Sequence, residues 1–138
     1  MAITAAFPNA SKLDALQAIC PPGATFKMAL YTSAATLGKV STTYSAAGEV
    51  AGTGYTAGGI VLTGYTASLD GDVAILDFND PQWDNATITA GGAVIYDATN
   101  GNKIRAVLQF APDYTSTNGP FKVTLPPPAA ATAVVRIA

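Results

Sequence analysis

Groups that do chemistry are scarce in this 138-residue chain, which has no histidine, one cysteine (Cys20), nine Asp and Glu and seven Lys and Arg. Without histidine the commonest general base and the commonest metal ligand are missing. A Ser-His or Cys-His nucleophile pair cannot be built, nor a zinc site of His and Cys. Carboxylates remain. Asp70-Gly71-Asp72, Asp77, Asp80 and Asp84 form a local acidic run, and their oxygens are the right type for Ca²⁺, which takes roughly six or more of them. The spacing does not follow a calcium-loop pattern. Asp-Gly and Asn-Asp-Pro are ordinary turn sequences, so solvated turns are the preferred reading. A glycosidase needs two carboxylates across a sugar cleft; Asp77 and Asp84 are the imaginable pair, and nothing around them marks a cleft. No catalytic residue, metal or cofactor is expected.

Two further motifs invite a functional reading. Gly52-Thr53-Gly54-Tyr55-Thr56-Ala57-Gly58-Gly59 has the glycines of a phosphate loop. No Lys follows it, and the next residues read as a strand rather than a helix, so turns and close packing explain it better. Trp83, the single Trp, reads as a core or interface anchor. A carbohydrate-stacking surface is its alternative, with a glycan as partner.

The length fits one domain whose core needs no metal or disulfide. Charged residues make up 12%, against roughly 25% in soluble domains. Hydrophobic residues reach 49%, much of it Ala. A free monomer uses charge to stay apart from its copies, whereas surface covered by neighbours loses charge. An assembly subunit is therefore expected. No apolar run reaches the roughly 18 residues that span a bilayer, and the N-terminus lacks the pattern of a secretory signal, so no membrane contact is expected. Cys20 reads as a small buried hydrophobe, compatible with a reducing compartment. From Lys39 to Lys103 no basic residue intervenes, while Glu49, Asp70, Asp72, Asp77, Asp80, Asp84 and Asp97 all do. Binding to nucleic acid needs clustered Lys and Arg, so none is expected.

The elements that hold these residues are mostly strands. One helix is predicted over 11–20, capped by Asn9 or Ser11, with Leu13, Leu16 and Cys20 on one face and Asp14 in its first turn. Pro21-Pro22-Gly23 ends it. Alternation then predicts strands at 25–31, 60–63, 73–78, 86–89, 93–97, 103–110, 121–125 and 134–137. Gly91-Gly92 reads as a hairpin or a bulge. Ile104, Ala106, Leu108 and Phe110 are placed inward, with Phe121, Val123, Leu76 and Phe78 completing the core. The echoed Gly-Tyr-Thr-Ala at 54–57 and 64–67 reads as two related turns, and Pro126-Pro127-Pro128 with the alanines after it as an extended spacer. Seven or eight short strands with one helix predict a mainly β chain, an antiparallel β-sandwich of jelly-roll or immunoglobulin-like type. The division is an arm and helix at 1–24 and one sandwich domain at 25–138, with a long small-residue loop at about 32–53.

That loop lies in a stretch, 29–64, whose only charges are Lys39 and Glu49. Its Ala, Ser, Thr and Gly bury too little apolar surface to order it unaided. It is therefore expected to carry contacts to neighbours, and shortening it is expected to leave the sandwich folded. Leu13, Leu16, Tyr31, Tyr44, Val50, Tyr55 and Trp83 are the expected contact residues.

Several blocks resemble small virion structural proteins of tailed bacteriophages: Ala29-Leu30-Tyr31-Thr32-Ser33-Ala34-Ala35-Thr36-Leu37-Gly38, Gly48-Glu49-Val50 through Gly58-Gly59, Leu62-Thr63-Gly64, Trp83 with Ala86-Thr87-Ile88-Thr89-Ala90, Gly92-Ala93-Val94-Ile95-Tyr96-Asp97, and Ala133-Val134-Val135-Arg136-Ile137. The likeness is one of wording and order, covers most of 26–138, and includes no catalytic motif. It implies a β-sandwich accessory of the virion, assembled in the host cytoplasm. A capsid decoration or cement protein is the first expectation, with the major capsid protein and copies of itself as partners. A tail, neck or fibre component is the second, and a carbohydrate-binding module on the virion surface the third.

Overall fold

The structure, a computed structural model, describes residues 2–138. Residues 2–8 form an exposed arm outside any helix or strand. Helix α1 spans Asn9–Ile19 and begins two residues earlier than predicted. Neither Asn9 nor Ser11 caps it. The Pro8 carbonyl accepts from the N–H groups of Ser11 and Lys12 (3.0 and 3.1 Å). Asp14 consequently falls beyond the first turn. The Asn9 side chain is engaged elsewhere, donating to Asp72 Oδ1 (2.9 Å), while Lys12 Nζ donates to the Asp72 carbonyl (2.7 Å). These tethers fix the helix on the smaller sheet, where Leu16 and Cys20 are fully buried and Leu13 packs at their side.

Seven strands follow: β1 Phe26–Tyr31, β2 Ile60–Val61, β3 Thr66–Asp70, β4 Val73–Asp77, β5 Gln82–Asp97, β6 Lys103–Lys122 and β7 Val135–Ile137. They form two antiparallel sheets, ordered β2-β1-β5-β6 and β3-β4-β7. The mainly β sandwich with one short helix is thus the observed architecture. Its strand order differs from the immunoglobulin arrangement, which would be 1-2-5-4 against 3-6-7. The main core lies between the sheets, where Phe26, Met28 and Leu30 of β1 and Ile88, Ala93 and Ile95 of β5 meet Ala74 and Leu76 of β4.

Two predicted strands, 86–89 and 93–97, belong to one sixteen-residue strand, β5. The glycines between them mark an irregularity. Residues 110–113 of β6 face Gly91 alone, because Ala90 pairs with Tyr114 and Gly92 with Gln109. A Cβ at Gly91 would lie 2.9 Å from the Ser33 backbone and 3.0 Å from Asp113 Oδ1. Alternation stops reading as a single row in β6 as well. Ile95 opposes Ala106 and Tyr96 opposes Ile104, so Arg105 is an extra, bulged residue. Cross-strand partners share a face. Ile104 therefore turns to the outer face with Tyr96, while Ala106, Leu108 and Phe110 stay inside. All four are half-buried rather than core, since β6 is the edge of its sheet. Phe121, Val123, Leu76 and Phe78 are buried as predicted.

The outer face of the large sheet is covered too. Burial in β5 alternates from Gln82 to Ala90 and becomes continuous from Gly92 to Asp97. The cover is the segment 32–59, which folds back as a strap. Under it Ala29, Tyr31, Val94 and Tyr96 form a second cluster with Leu37, Tyr44 and Ile104. Elsewhere the second Gly-Tyr-Thr-Ala copy opens β3, a strand the alternation did not reveal. Residues 128–132 make turns rather than an extended spacer, held by a bond from the Ala130 N–H to Asp70 Oδ2 (2.7 Å).

Candidate functional site

The strap is the most organised polar feature of the molecule, and Glu49 is its centre. Its Oε1 accepts from the Tyr44 hydroxyl (2.5 Å) and its Oε2 from the Gly58 N–H (2.8 Å) and the Tyr55 hydroxyl. The Tyr55 oxygen in turn accepts from the Leu30 N–H (3.0 Å). The Val50 N–H donates to the Leu30 carbonyl (3.0 Å) and the Thr32 N–H to the Gly48 carbonyl (2.9 Å). These bonds occupy the edge of β1 beyond its short pairing with β2 at Lys27 and Met28. On the far side the Tyr44 N–H donates to the Asn102 carbonyl and the Ile104 N–H to the Thr42 carbonyl (both 2.9 Å), pairing the strap with the start of β6. Gly59 closes the strap at φ +85, where a Cβ would sit 1.8 Å from the Met28 carbonyl oxygen. Only glycine can pass there.

This arrangement works as a latch. Burial, then the Glu49 charge, push the Tyr31 hydroxyl up to about 12. Tyr44 and Tyr55 are pushed up further by burial and by their hydrogen bonds to Glu49. Such hydroxyls keep their protons at neutral pH. Tyr31 donates to the Ser45 carbonyl (2.7 Å) and Tyr96 to the Gly58 carbonyl (2.5 Å), so both serve the strap as well. Cys20, fully buried, has its thiol pushed up to about 11 by desolvation, which makes it inert.

The residues expected to touch neighbours divide by burial. Leu16, Tyr31, Val50 and Trp83 are at most 5% exposed, so within the single chain they present little surface to a neighbour. Leu16 is spent under α1, Tyr31 and Val50 under the strap, and Trp83 between Tyr55 and Phe121, with ring centroids 6.1 and 6.0 Å away. Trp83 therefore offers no face to a sugar. Leu13, Tyr44 and Tyr55 are half-buried. The acidic residues are separated into individual tethers. Asp80 Oδ1 accepts from the Leu125 N–H (2.9 Å) and Asp84 Oδ1 from Gln82 Nε2 (2.7 Å), besides the bonds to Asp70 and Asp72 given above. Among the described residues no three His, Cys, Asp or Glu side chains converge as metal ligands would.

One open cleft of roughly 760 Å³ lies between residues 32–41 of the strap and the outer side of β6. Its charged side chains are Lys39, Arg105 and Asp113. Asp113 accepts from the Ser33 hydroxyl (3.3 Å), and Arg105 keeps its Nε buried without a partner. The role of Glu49 does not follow from the sequence pattern, whose one signal is a lone carboxylate in a stretch with a single other charge. The chain matches no protein family, no curated protein and no solved structure.

Proposed function

We propose that the chain is a non-enzymatic structural subunit of a tailed-phage virion, a capsid decoration protein that binds across major capsid protein subunits beside copies of itself. One observation carries the reading. The sandwich satisfies its own core, yet leaves Ile3, Val40, Phe7 and Val61 93, 83, 56 and 51% exposed on a chain with 12% charged residues. Single exposed apolar residues are ordinary. Their coincidence with so few charges suits a surface that neighbours cover, because little is lost in desolvating it. The resemblance of most of residues 26–138 to small phage structural proteins supports the choice of partner. Cement proteins act by cumulative burial across joints, and binding only the assembled shell stabilises that state by mass action.

Antibodies against the chain should label the outer shell of intact tailed particles, and particles made without it should release their DNA at a lower temperature. Label confined to the tail or neck would favour the tail-component reading. Particles carrying none of the chain would sink both.

A further inference from the structure

The sequence holds two Asn-Gly pairs, Asn100-Gly101 and Asn118-Gly119, and the fold treats them differently. Asn100 and Gly101 lie exposed in the turn between β5 and β6. Nothing lies within 4 Å of where a Gly101 Cβ would be, so that side of the turn is open. The Asn100 side chain donates from Nδ2 to Asp97 Oδ2 (2.7 Å). Asp97 is fully buried, and its Oδ1 accepts from the N–H groups of Thr99 and Asn100 (3.0 and 3.1 Å). Asn118 is also exposed and stands at φ +46, but it lies within β6 at an irregularity of the ladder, with Gly119 paired to Ala86. Its N–H donates to Thr87 Oγ1 (3.0 Å) and its Oδ1 accepts from the same hydroxyl (3.3 Å).

We infer that Asn100 is a spontaneous deamidation site whose product weakens the hairpin that holds β5 to β6. The Gly101 amide nitrogen attacks Asn100 Cγ. The new N–Cγ bond forms, the Cγ–Nδ2 bond breaks, and ammonia leaves with the amide proton, giving a succinimide. Water then opens the ring at either carbonyl, leaving an aspartyl or isoaspartyl residue. Both products replace the amide that donates to Asp97 with a carboxylate. Two carboxylates a hydrogen-bond length apart, one of them buried, repel or must share a proton. The isoaspartyl form also lengthens the backbone of a turn whose next residue, Asn102, already stands at φ +56. At Asn118 the two bonds to Thr87 tie down the N–H and the side-chain oxygen, and the pairing of Gly119 with Ala86 anchors the residue that would attack.

The test is ageing of the folded full-length chain in mildly alkaline buffer, with peptide mapping by mass spectrometry, beside the same chain in urea. The peptide with Asn100 should gain the mass of amide-to-acid conversion in the folded protein, while that with Asn118 stays unchanged. In urea both should convert at similar rates. Equal protection of the two, or faster loss at Asn118, overturns the site assignment. The aged species, separated by charge, should melt at a lower temperature than the fresh chain, as should Asn100→Asp if it folds. An aged species that melts with the parent overturns the coupling to Asp97.

Discussion

Glu49 is the only acidic residue between β1 and β2. Its two oxygens take three donors, two of them phenolic. Charge-assisted bonds of this kind are stronger than neutral ones, and donors left without an acceptor are costly. Glu49→Ala should therefore lower stability by about 2 kcal/mol, read as a shifted urea midpoint at unchanged slope. A loss below about 0.5 kcal/mol would place the residue among ordinary surface positions. The same group of side chains sets an alkaline limit. Because the folded chain holds the Tyr31 proton up to about 12, against an ordinary 10, this stability is whole below about pH 10. It is lost as pH rises toward 12. Melting temperature followed over that window, together with tyrosinate absorbance, should show titration and unfolding coinciding. Independent titration without loss of fold would contradict the latch.

Among the elements, β4 and β6 make the clearest contrast. β4 is the centre of its sheet and apolar on both faces, as its unbroken Val-Ala-Ile-Leu run foretells. Leu76→Ala should cost about 2–5 kcal/mol. Leu108, half-buried on an edge strand, should cost only about 1–2 kcal/mol on the same change; paired unfolding curves decide it. Period-two patterns were legible wherever a strand is regular and one-sided, as in β1 and at Phe121 and Val123. They failed where a bulge resets the face at Arg105, and at β3, whose Thr-Ala-Ser-Leu-Asp lacks two clear faces. The strap escaped because its order comes from partners distant in sequence, not from its own composition. Removing residues 37–47 should therefore uncover Tyr31 and Tyr96 and cost about 3 kcal/mol or more, not the mild penalty of a shortened loop. A deletion variant that melts with the parent would return the strap to the status of a free loop.

Over the whole molecule, charged side chains bond mostly to neutral partners and not to one another. Lys12 and Arg136 donate to backbone carbonyls, and the acidic turn residues mostly accept from backbone N–H groups or amide side chains. Exposed ion pairs are the part of stability that salt screens. Melting should thus change little between about 0.01 M and about 0.15 M NaCl. A marked drop would reveal a charge network that these contacts do not contain.

β1 finds its main partner far along the chain: Phe26 pairs with Asp97, and β6, which seals the other side of β5, runs on to Lys122. Apart from the β3–β4 and β5–β6 hairpins, little of the sheet can close locally, and such topologies fold slowly. On a ribosome, which adds residues in order at about 5–20 per second, the helix and strap emerge well before the surfaces they cover exist. Nascent chains stalled before β6 has left the exit tunnel should be digested by protease along their whole length, and resistance should appear in one step once β6 is out. The fold is thus completed late and as a unit, after a long interval in which its apolar segments have no cover.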